Sequence, residues 1–116
     1  MDYRDLVVWQ KAMGLAELVY RMTSEFPAQE RFGLTSQMRR AATSIPSNIA
    51  EGQGRRSTDQ ELVRFLQIAH GSLCELQTQL ELSVRLNLLA ADLANELRTQ
   101  GDEVGRLLGG LIRSKI

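Results

Sequence analysis

The chain has 116 residues, 43% of them hydrophobic and 24% charged, with 14 basic and 14 acidic side chains and a formal net charge of zero. The length fits a single domain over residues 1–116, and this composition excludes a disordered chain. A neutral protein also has no overall field that would attract nucleic acid or an anionic membrane.

The first predicted helix, over residues 3–23, ends before Phe26-Pro27, because a residue that precedes proline is pushed out of helical geometry. The polar arc of its helical wheel is narrow and consists of Gln10, Gly14, Glu17 and Arg21. The rest of the surface is more apolar than one bundle interior needs. We therefore expect this helix to be buried on two sides, inside its own bundle and against another subunit.

The second predicted helix covers residues 31–53 and contains Pro46, which removes one backbone hydrogen bond and predicts a kink. Proline leaves the carbonyl of Ala42 without its helical partner. We expect the hydroxyl of Ser44 or Ser47 to bind this carbonyl.

The same segment separates into two opposed stripes at the helical period. The apolar stripe consists of Met38, Ala41, Ala42, Ile45, Ile49 and Gly52. The polar stripe consists of Arg40, Ser44, Ser47, Asn48 and Glu51. Small hydrogen-bonding side chains of mixed charge are typical of a packed polar network or of a binding surface, and the pattern leaves both open.

The third predicted helix begins at Ser57 or Thr58, each of which stands three residues before Gln60 or Glu61, as a capping box requires. A coiled-coil-like seam then steps by four and three residues to about Leu86. Its members are Leu62, Leu66, Ala69, Leu73, Leu76 and Leu80.

The fourth predicted helix, over residues 90–113, follows a short turn near Asn87-Leu88. Short connections between long helices predict an all-α fold, an antiparallel up-and-down four-helix bundle. Gly101, Gly105 and Gly109 recur every four residues on this helix, where each costs about 1 kcal/mol relative to alanine. Close packing in the bundle, a subunit contact and a frayed helix each explain this stripe, and the sequence does not choose among them.

Residues for catalysis or metal binding are scarce. The one histidine, His70, lies four residues before the single cysteine, Cys74, but no third ligand of this type exists to complete a zinc site. We expect Cys74 to be a small buried hydrophobe and His70 to flank the seam. No nucleophile elbow or phosphate loop occurs. The sequence therefore predicts no enzyme, no metal, no cofactor and no small-molecule substrate.

The cellular location is also predicted from the composition and the N-terminal residues. The single cysteine, the acidic N-terminus and the lack of a run of about 18 apolar residues predict a cytoplasmic protein with no membrane-spanning segment.

Arginine is locally concentrated, with five arginines against one acid over residues 31–56. The candidate phosphate-contacting residues are Arg39, Arg40, Arg55, Arg56 and Arg64. The alternative is that Arg40 pairs with Glu51 or Glu75 and the others are solvated. We expect Phe32 and Phe65 in the core, which leaves few aromatic side chains for stacking on bases.

Five segments together resemble the four-helix bundle proteins encoded by intervening sequences in bacterial 23S ribosomal RNA genes. They are Asp5-Leu6-x-x-Trp9-x-Lys11, Phe26-Pro27-x-x-Glu30, Leu34-Thr35-x-Gln37-x-Arg39-Arg40-Ala41, Ser44-Ile45-Pro46-x-Asn48-Ile49-Ala50-Glu51-Gly52 and Phe65-Leu66-x-Ile68-Ala69-x-Gly71-Ser72-x-x-Glu75-Leu76. The family is in turn similar to accessory proteins of diversity-generating retroelements, which form rings of five bundles and associate with nucleic acid.

The resemblance implies a homopentamer and a possible association with nucleic acid, and it transfers no catalytic residue. The positions at the polar centre of the shared motifs are Arg40, Ser44, Asn48, Glu51, Ser72 and Glu75. The retroelement proteins are strongly basic, whereas this chain is neutral with a pI near 6.6. We therefore expect a nucleic-acid-associated oligomer of modest, salt-sensitive affinity, or else a scaffold ring that binds a protein partner.

Overall fold

The fold is described from a computed structural model that covers residues 2–55 and 58–116. Within these residues the chain forms four α-helices and no strand: α1 (Val7–Thr23), α2 (Leu34–Arg55), α3 (Asp59–Arg85) and α4 (Ala91–Lys115). Each helix packs against the next one along the chain, and α4 closes on α1. The predicted all-α four-helix bundle is confirmed, and it measures 44 × 24 × 20 Å.

The first helix begins later than its hydrophobic period predicts. Tyr3–Asp5 form a separate 3-10 turn, which Asp2 caps by accepting a hydrogen bond from the Arg4 backbone N–H at 2.8 Å. This bond to the charged carboxylate lowers the pKa of Asp2 from its ordinary value. The extended backbone of Leu6 then separates the turn from α1.

The second helix also begins later than predicted, at Leu34 rather than Arg31. Ala28–Glu30 form another 3-10 turn, and Glu30 Oε1 accepts a hydrogen bond from the Leu34 backbone N–H at 3.2 Å. A carboxylate at this position satisfies a free donor and interacts favourably with the helix dipole.

Pro46 lies inside α2, which continues as a helix on both sides of it. The Ser47 hydroxyl donates to the Thr43 carbonyl at 2.7 Å, and the Ser44 hydroxyl is hydrogen-bonded to another side chain. The prediction that one of these hydroxyls binds the carbonyl of Ala42 was therefore wrong. A serine hydroxyl in a helix reaches the carbonyl four residues back, which for Ser47 is that of Thr43.

The third helix follows its sequence signals closely. Thr58 Oγ1 accepts a hydrogen bond from the Glu61 backbone N–H at 3.0 Å, so the predicted cap is confirmed there, while Ser57 lies outside the described residues. All six members of the predicted seam are buried. The predicted turn near Asn87 is confirmed too, since this residue has a φ of 60°, a conformation that asparagine tolerates.

The core lies between the inward faces of all four helices. Every member of the apolar stripe of α2 is buried. The largest fully buried side chains are Leu15, Met38, Ile45, Ile49, Leu62, Leu66, Leu73 and Leu108. None of the described helices combines the length and the apolarity that crossing a membrane would need.

Two of the three α4 glycines pack closely inside the bundle. A Cβ at Gly101 would lie 3.8 Å from Leu73 Cδ1, and one at Gly105 would lie 3.3 Å from Leu73 Cδ2. A Cβ at Gly109 would meet only Arg113 of its own helix, at 3.1 Å. Since α4 continues to Lys115, the frayed-helix alternative was wrong. Gly105 lets α4 approach α3 closely, whereas a Cβ at position 101 would make ordinary van der Waals contacts.

Polar bridges join neighbouring helices at the surface. The Arg98 guanidinium donates to both carboxylate oxygens of Glu81 at 2.7 and 2.8 Å, which ties α4 to α3. This hydrogen bonding lowers the pKa of Glu81 from its ordinary value. Lys11 and Glu103 join α1 to α4 at 3.4 Å.

Helices α2 and α3 approach each other closely at Gly52. A Cβ there would lie 2.7 Å from Phe65 Cβ and 3.2 Å from Leu62 Cδ1, which is too short for a stable contact. Gly71, on the exposed side of α3, has nothing within 4 Å of the corresponding position.

We expect Gly52→Ala to lower the free energy of unfolding by about 1–3 kcal/mol, because the new methyl group forces α2 away from α3. Gly71→Ala is the matched control and should raise stability by about 0.5–1 kcal/mol through helix propensity alone. Urea unfolding of both variants at one protein concentration measures the difference. Equal stabilisation by both substitutions would contradict the close approach.

Candidate functional site

Three of the six motif positions form a connected polar contact between α2 and α3. Ser44 Oγ and Ser72 Oγ lie 2.8 Å apart, and Asn48 Nδ2 donates to the Ser44 carbonyl at 2.8 Å and to its hydroxyl at 3.0 Å. All three side chains are half-buried. Their hydrogen bonds satisfy one another, so this part of the polar stripe is a packed network.

The other three motif positions do not join it. Arg40 and Glu75 are exposed and line one shallow groove between α2 and α3, where within the described residues neither has an ion-pair partner. Glu51 instead pairs with Arg55, one turn further along α2, at 2.5 Å. The alternative in which Arg40 pairs with Glu51 or Glu75 was therefore wrong. Buried Gln79 lines the same groove, and its Oε1 has no hydrogen-bond partner.

Arg39 makes hydrogen bonds to another helix of the bundle. Its Nε donates to Thr23 Oγ1 at 2.9 Å, and its Nη2 donates to the Tyr20 carbonyl at 3.2 Å. The guanidinium also lies 4.6 Å from the centroid of the Tyr20 ring, a favourable cation–π distance. Thr23 is only 2% exposed. Arg39 therefore fastens α2 to the end of α1.

The remaining candidate arginines do not form one surface with it. Arg55 lies about 24 Å from Arg39 along the axis of α2, at 1.5 Å per residue. Arg64 is exposed on α3, with its guanidinium 5.5 Å from the Phe65 ring. Arg56 lies outside the described residues. Because Gly52 lies opposite Phe65 in the antiparallel pair, Arg55 and Arg64 come to about the same level, whereas Arg39 and Arg40 lie near the other end of α2.

An apolar groove opens between α1 and α2, with a volume of about 610 Å³. Its apolar wall consists of Trp9, Met13, Ala16, Tyr20, Pro46 and Ala50. Met13 is 37% exposed and Tyr20 44% exposed, so large apolar side chains face water here. We call this surface the α1–α2 groove. The wide apolar arc of the first helix predicted it in outline.

Two expectations about buried residues were wrong. Phe32 is 88% exposed, in the turn before α2, and Cys74 is exposed on α3. Phe32 lies in a turn, where no helical period indicates its face. Cys74 lies in α3 one residue after the seam member Leu73, so the period itself places it off the seam. Phe65 is half-buried against Gly52.

The described residues do not assemble a metal site. Cys74 Sγ lies 3.8 Å from His70 Nδ1, but no group of three or more His, Cys, Asp or Glu side chains comes together. The pair is a local contact between neighbouring turns of α3.

The fold and these motifs match one known family. The model of the 23S rRNA-intervening sequence protein family matches residues 4–110. The chain belongs to this family. A crystal structure from Bacteroides thetaiotaomicron VPI-5482, described as a protein with unknown function from the S23 ribosomal protein family, has a similar fold. The two chains are 25% identical with a TM-score of 0.82, and the match covers 91% of this chain and 98% of the other. No curated protein matches this family member significantly.

The neighbouring residues Arg39 and Arg40 provide a matched test of structural and surface roles. We expect Arg39→Ala to lower the free energy of unfolding by about 1–2 kcal/mol, because it removes charged hydrogen bonds to Thr23 and Tyr20. Arg40→Ala should change it by less than about 0.5 kcal/mol. Urea unfolding provides the measurement. Equal effects would show that the contacts of Arg39 contribute nothing to folding.

Proposed function

We propose that this chain is a non-enzymatic, homo-oligomeric bundle protein of the cytoplasm that acts by binding other macromolecules. The observation that carries the proposal is the α1–α2 groove, whose apolar wall faces water in a single chain. Exposed apolar area of this kind is typical of interaction surfaces. If copies of this chain form a closed symmetric assembly, they would bury this apolar area against one another, and no different partner protein would be needed.

The number of copies comes from the family resemblance, which implies five. Each chain has a mass of 13.0 kDa, so the expected assembly is about 65 kDa. In this proposal the α2–α3 network and the contacts of Arg39 keep each bundle rigid.

We expect the purified protein to have a native mass of about five chains by light scattering at micromolar concentration. Met13→Lys places a charge in the exposed apolar wall and should reduce this mass, whereas Ile68→Lys, at a similarly exposed position on α3, should not. A wild-type protein with the mass of one chain would contradict the proposed self-association.

A second candidate function is binding to the phosphate backbone of nucleic acid. The observation that favours it is that Arg40 and Arg64 are exposed and, within the described residues, make no ion pair. Such arginines are free to contact phosphate. Arg55, although paired with Glu51, has 70% of its side chain exposed.

Titration with a structured RNA and a DNA duplex, at low and then at physiological salt, tests this candidate. We expect weak binding that decreases with salt, and a log-log salt slope that falls by about one for each phosphate-binding arginine that is replaced. The test variants are Arg40→Gln with Arg64→Gln, and Arg55→Gln with Arg56→Gln. Arg106→Gln on the exposed side of α4 is the control. No binding at low salt would exclude nucleic acid and leave protein partners.

A further inference from the structure

The shallow groove between α2 and α3 contains a buried amide without a hydrogen-bond partner. We call it the α2–α3 groove, and it has a volume of about 580 Å³. Its walls consist of Leu34, Gln37, Arg40, Glu75, Thr78, Gln79 and Leu82. From Leu34 to Arg40 it extends about 9 Å along the axis of α2, which corresponds to about two to three residues of extended chain. The groove therefore has the dimensions of a small molecule.

Gln79 supplies the observation that indicates a ligand. The residue is only 8% exposed, and its Oε1 is enclosed without a hydrogen-bond donor. Its Nε2 also makes no hydrogen bond to the described residues, but this atom is not enclosed, so a molecule in the groove can reach it. A buried amide without partners costs free energy, and natural proteins contain few such groups. A ligand that accepts a hydrogen bond from Nε2 would offset part of this cost.

Two opposite charges line the same groove without pairing. Arg40 and Glu75 are exposed, and neither makes an ion pair with the described residues. Helical side chains lean toward the N-terminus of their own helix, so on antiparallel α2 and α3 these two lean toward opposite ends of the groove. The guanidinium leans toward the level of Gln79, and the carboxylate leans toward Ser44 and Ser72. The groove therefore offers donors for an anionic group and, separately, an acceptor for a cationic group.

The other end of the groove, near the start of α2, is apolar. Leu34 is buried there, and Leu82 on α3 is 45% exposed. Charged residues lie close to this end, but Arg85 is one turn beyond Leu82 and Glu30 caps α2, and neither lines the groove. An apolar group placed against the two leucines would gain free energy by leaving water.

We propose that the α2–α3 groove binds a free α-amino acid with an apolar side chain. The ligand carboxylate accepts hydrogen bonds from the Arg40 guanidinium and from Gln79 Nε2, and the ligand ammonium group donates to Glu75. The ligand side chain lies against Leu34 and Leu82. A phosphate would be repelled by Glu75, and a neutral ligand would leave both charges without a partner. The inference does not depend on self-association, because one chain supplies every residue of the groove.

Four ligands test each part of this contact. L-leucine has all three groups, whereas N-acetyl-L-leucine lacks the ammonium group, L-leucinamide lacks the carboxylate and glycine lacks the apolar side chain. We expect L-leucine to bind with a Kd of about 0.1–1 mM, and the other three to bind about tenfold more weakly. NMR titration measures the affinities, and the side-chain amide signal of Gln79 should shift. Failure of L-leucine to bind at about 10 mM, or equal binding of N-acetyl-L-leucine, would overturn the proposal.

Matched variants assign each ligand group to a residue. Arg40→Gln should weaken binding of L-leucine about tenfold and remove its advantage over L-leucinamide, and Glu75→Gln should remove its advantage over N-acetyl-L-leucine. Both positions are exposed, so the helical fold should persist, which circular dichroism checks. Arg106→Gln and Glu96→Gln, at exposed positions on α4, are the controls and should bind as wild type does. Wild-type affinity in both groove variants would show that the ligand binds elsewhere and would overturn the proposal.

Gln79→Leu tests the buried amide, because it keeps a side chain of similar size and removes the polar group. We expect this variant to bind L-leucine more weakly and to unfold at the same urea concentration as wild type or a higher one, since no unpartnered amide stays buried. A variant that binds L-leucine as wild type does would remove Gln79 from the site.

Discussion

Helices α2 and α3 approach so closely at Gly52 that a β-carbon there would lie 2.7 Å from Phe65 Cβ. This contact fixes the antiparallel register of the two helices. Eight residues back along α2 and seven residues on along α3, the same register brings Ser44 within 2.8 Å of Ser72. The α2–α3 pair therefore has an apolar contact at one level, between Gly52 and Phe65, and a polar contact at another, between Ser44 and Ser72. A slip in register would break the bond between the two serines and leave the half-buried Ser72 hydroxyl without its partner on α2, which disfavours other pairings.

Arg39 links the interior of the bundle to its exposed surface. It donates to Thr23 at the end of α1 and lies over the ring of Tyr20, which forms part of the α1–α2 groove. The groove wall is thereby held by a contact between helices rather than by a loop. A surface that is rigid before binding loses less conformational entropy when a partner docks. The same contacts occupy the guanidinium, so Arg39 is a poor candidate for binding phosphate.

The sequence predicted those features that depend on local chemistry or on a long regular period. The leucine seam of α3, the cap at Thr58 and the turn at Asn87 all follow from side chains close to one another in sequence. The predicted beginnings of α1 and α2 were wrong because a short 3-10 turn precedes each helix. Asp2 caps the first of these turns, and Glu30, in the second, caps α2 itself. Hydrophobic periodicity does not distinguish such turns from a first helical turn.

The role of Arg39 could not be predicted from the sequence, because its partners lie 16 and 19 residues away and depend on how two helices pack. The exposure of Phe32 was missed for a related reason. The residue follows Glu30 and Arg31 in a turn without helical period, where hydrophobicity alone says little about burial. Its neighbour Arg31 was the available signal, since this charged side chain is exposed beside the ring.

The proposed assembly and the nucleic-acid candidate depend on each other physically. A single neutral chain offers only a few exposed arginines, such as Arg40 and Arg64, at separate levels of the bundle, and a few phosphate contacts give weak, salt-sensitive binding. In a closed ring every copy repeats the same arginines at equivalent positions. Several weak contacts to one polymer then act together, and their combined affinity exceeds that of any one contact. Self-association is in this way the precondition for useful phosphate binding by a chain without net charge.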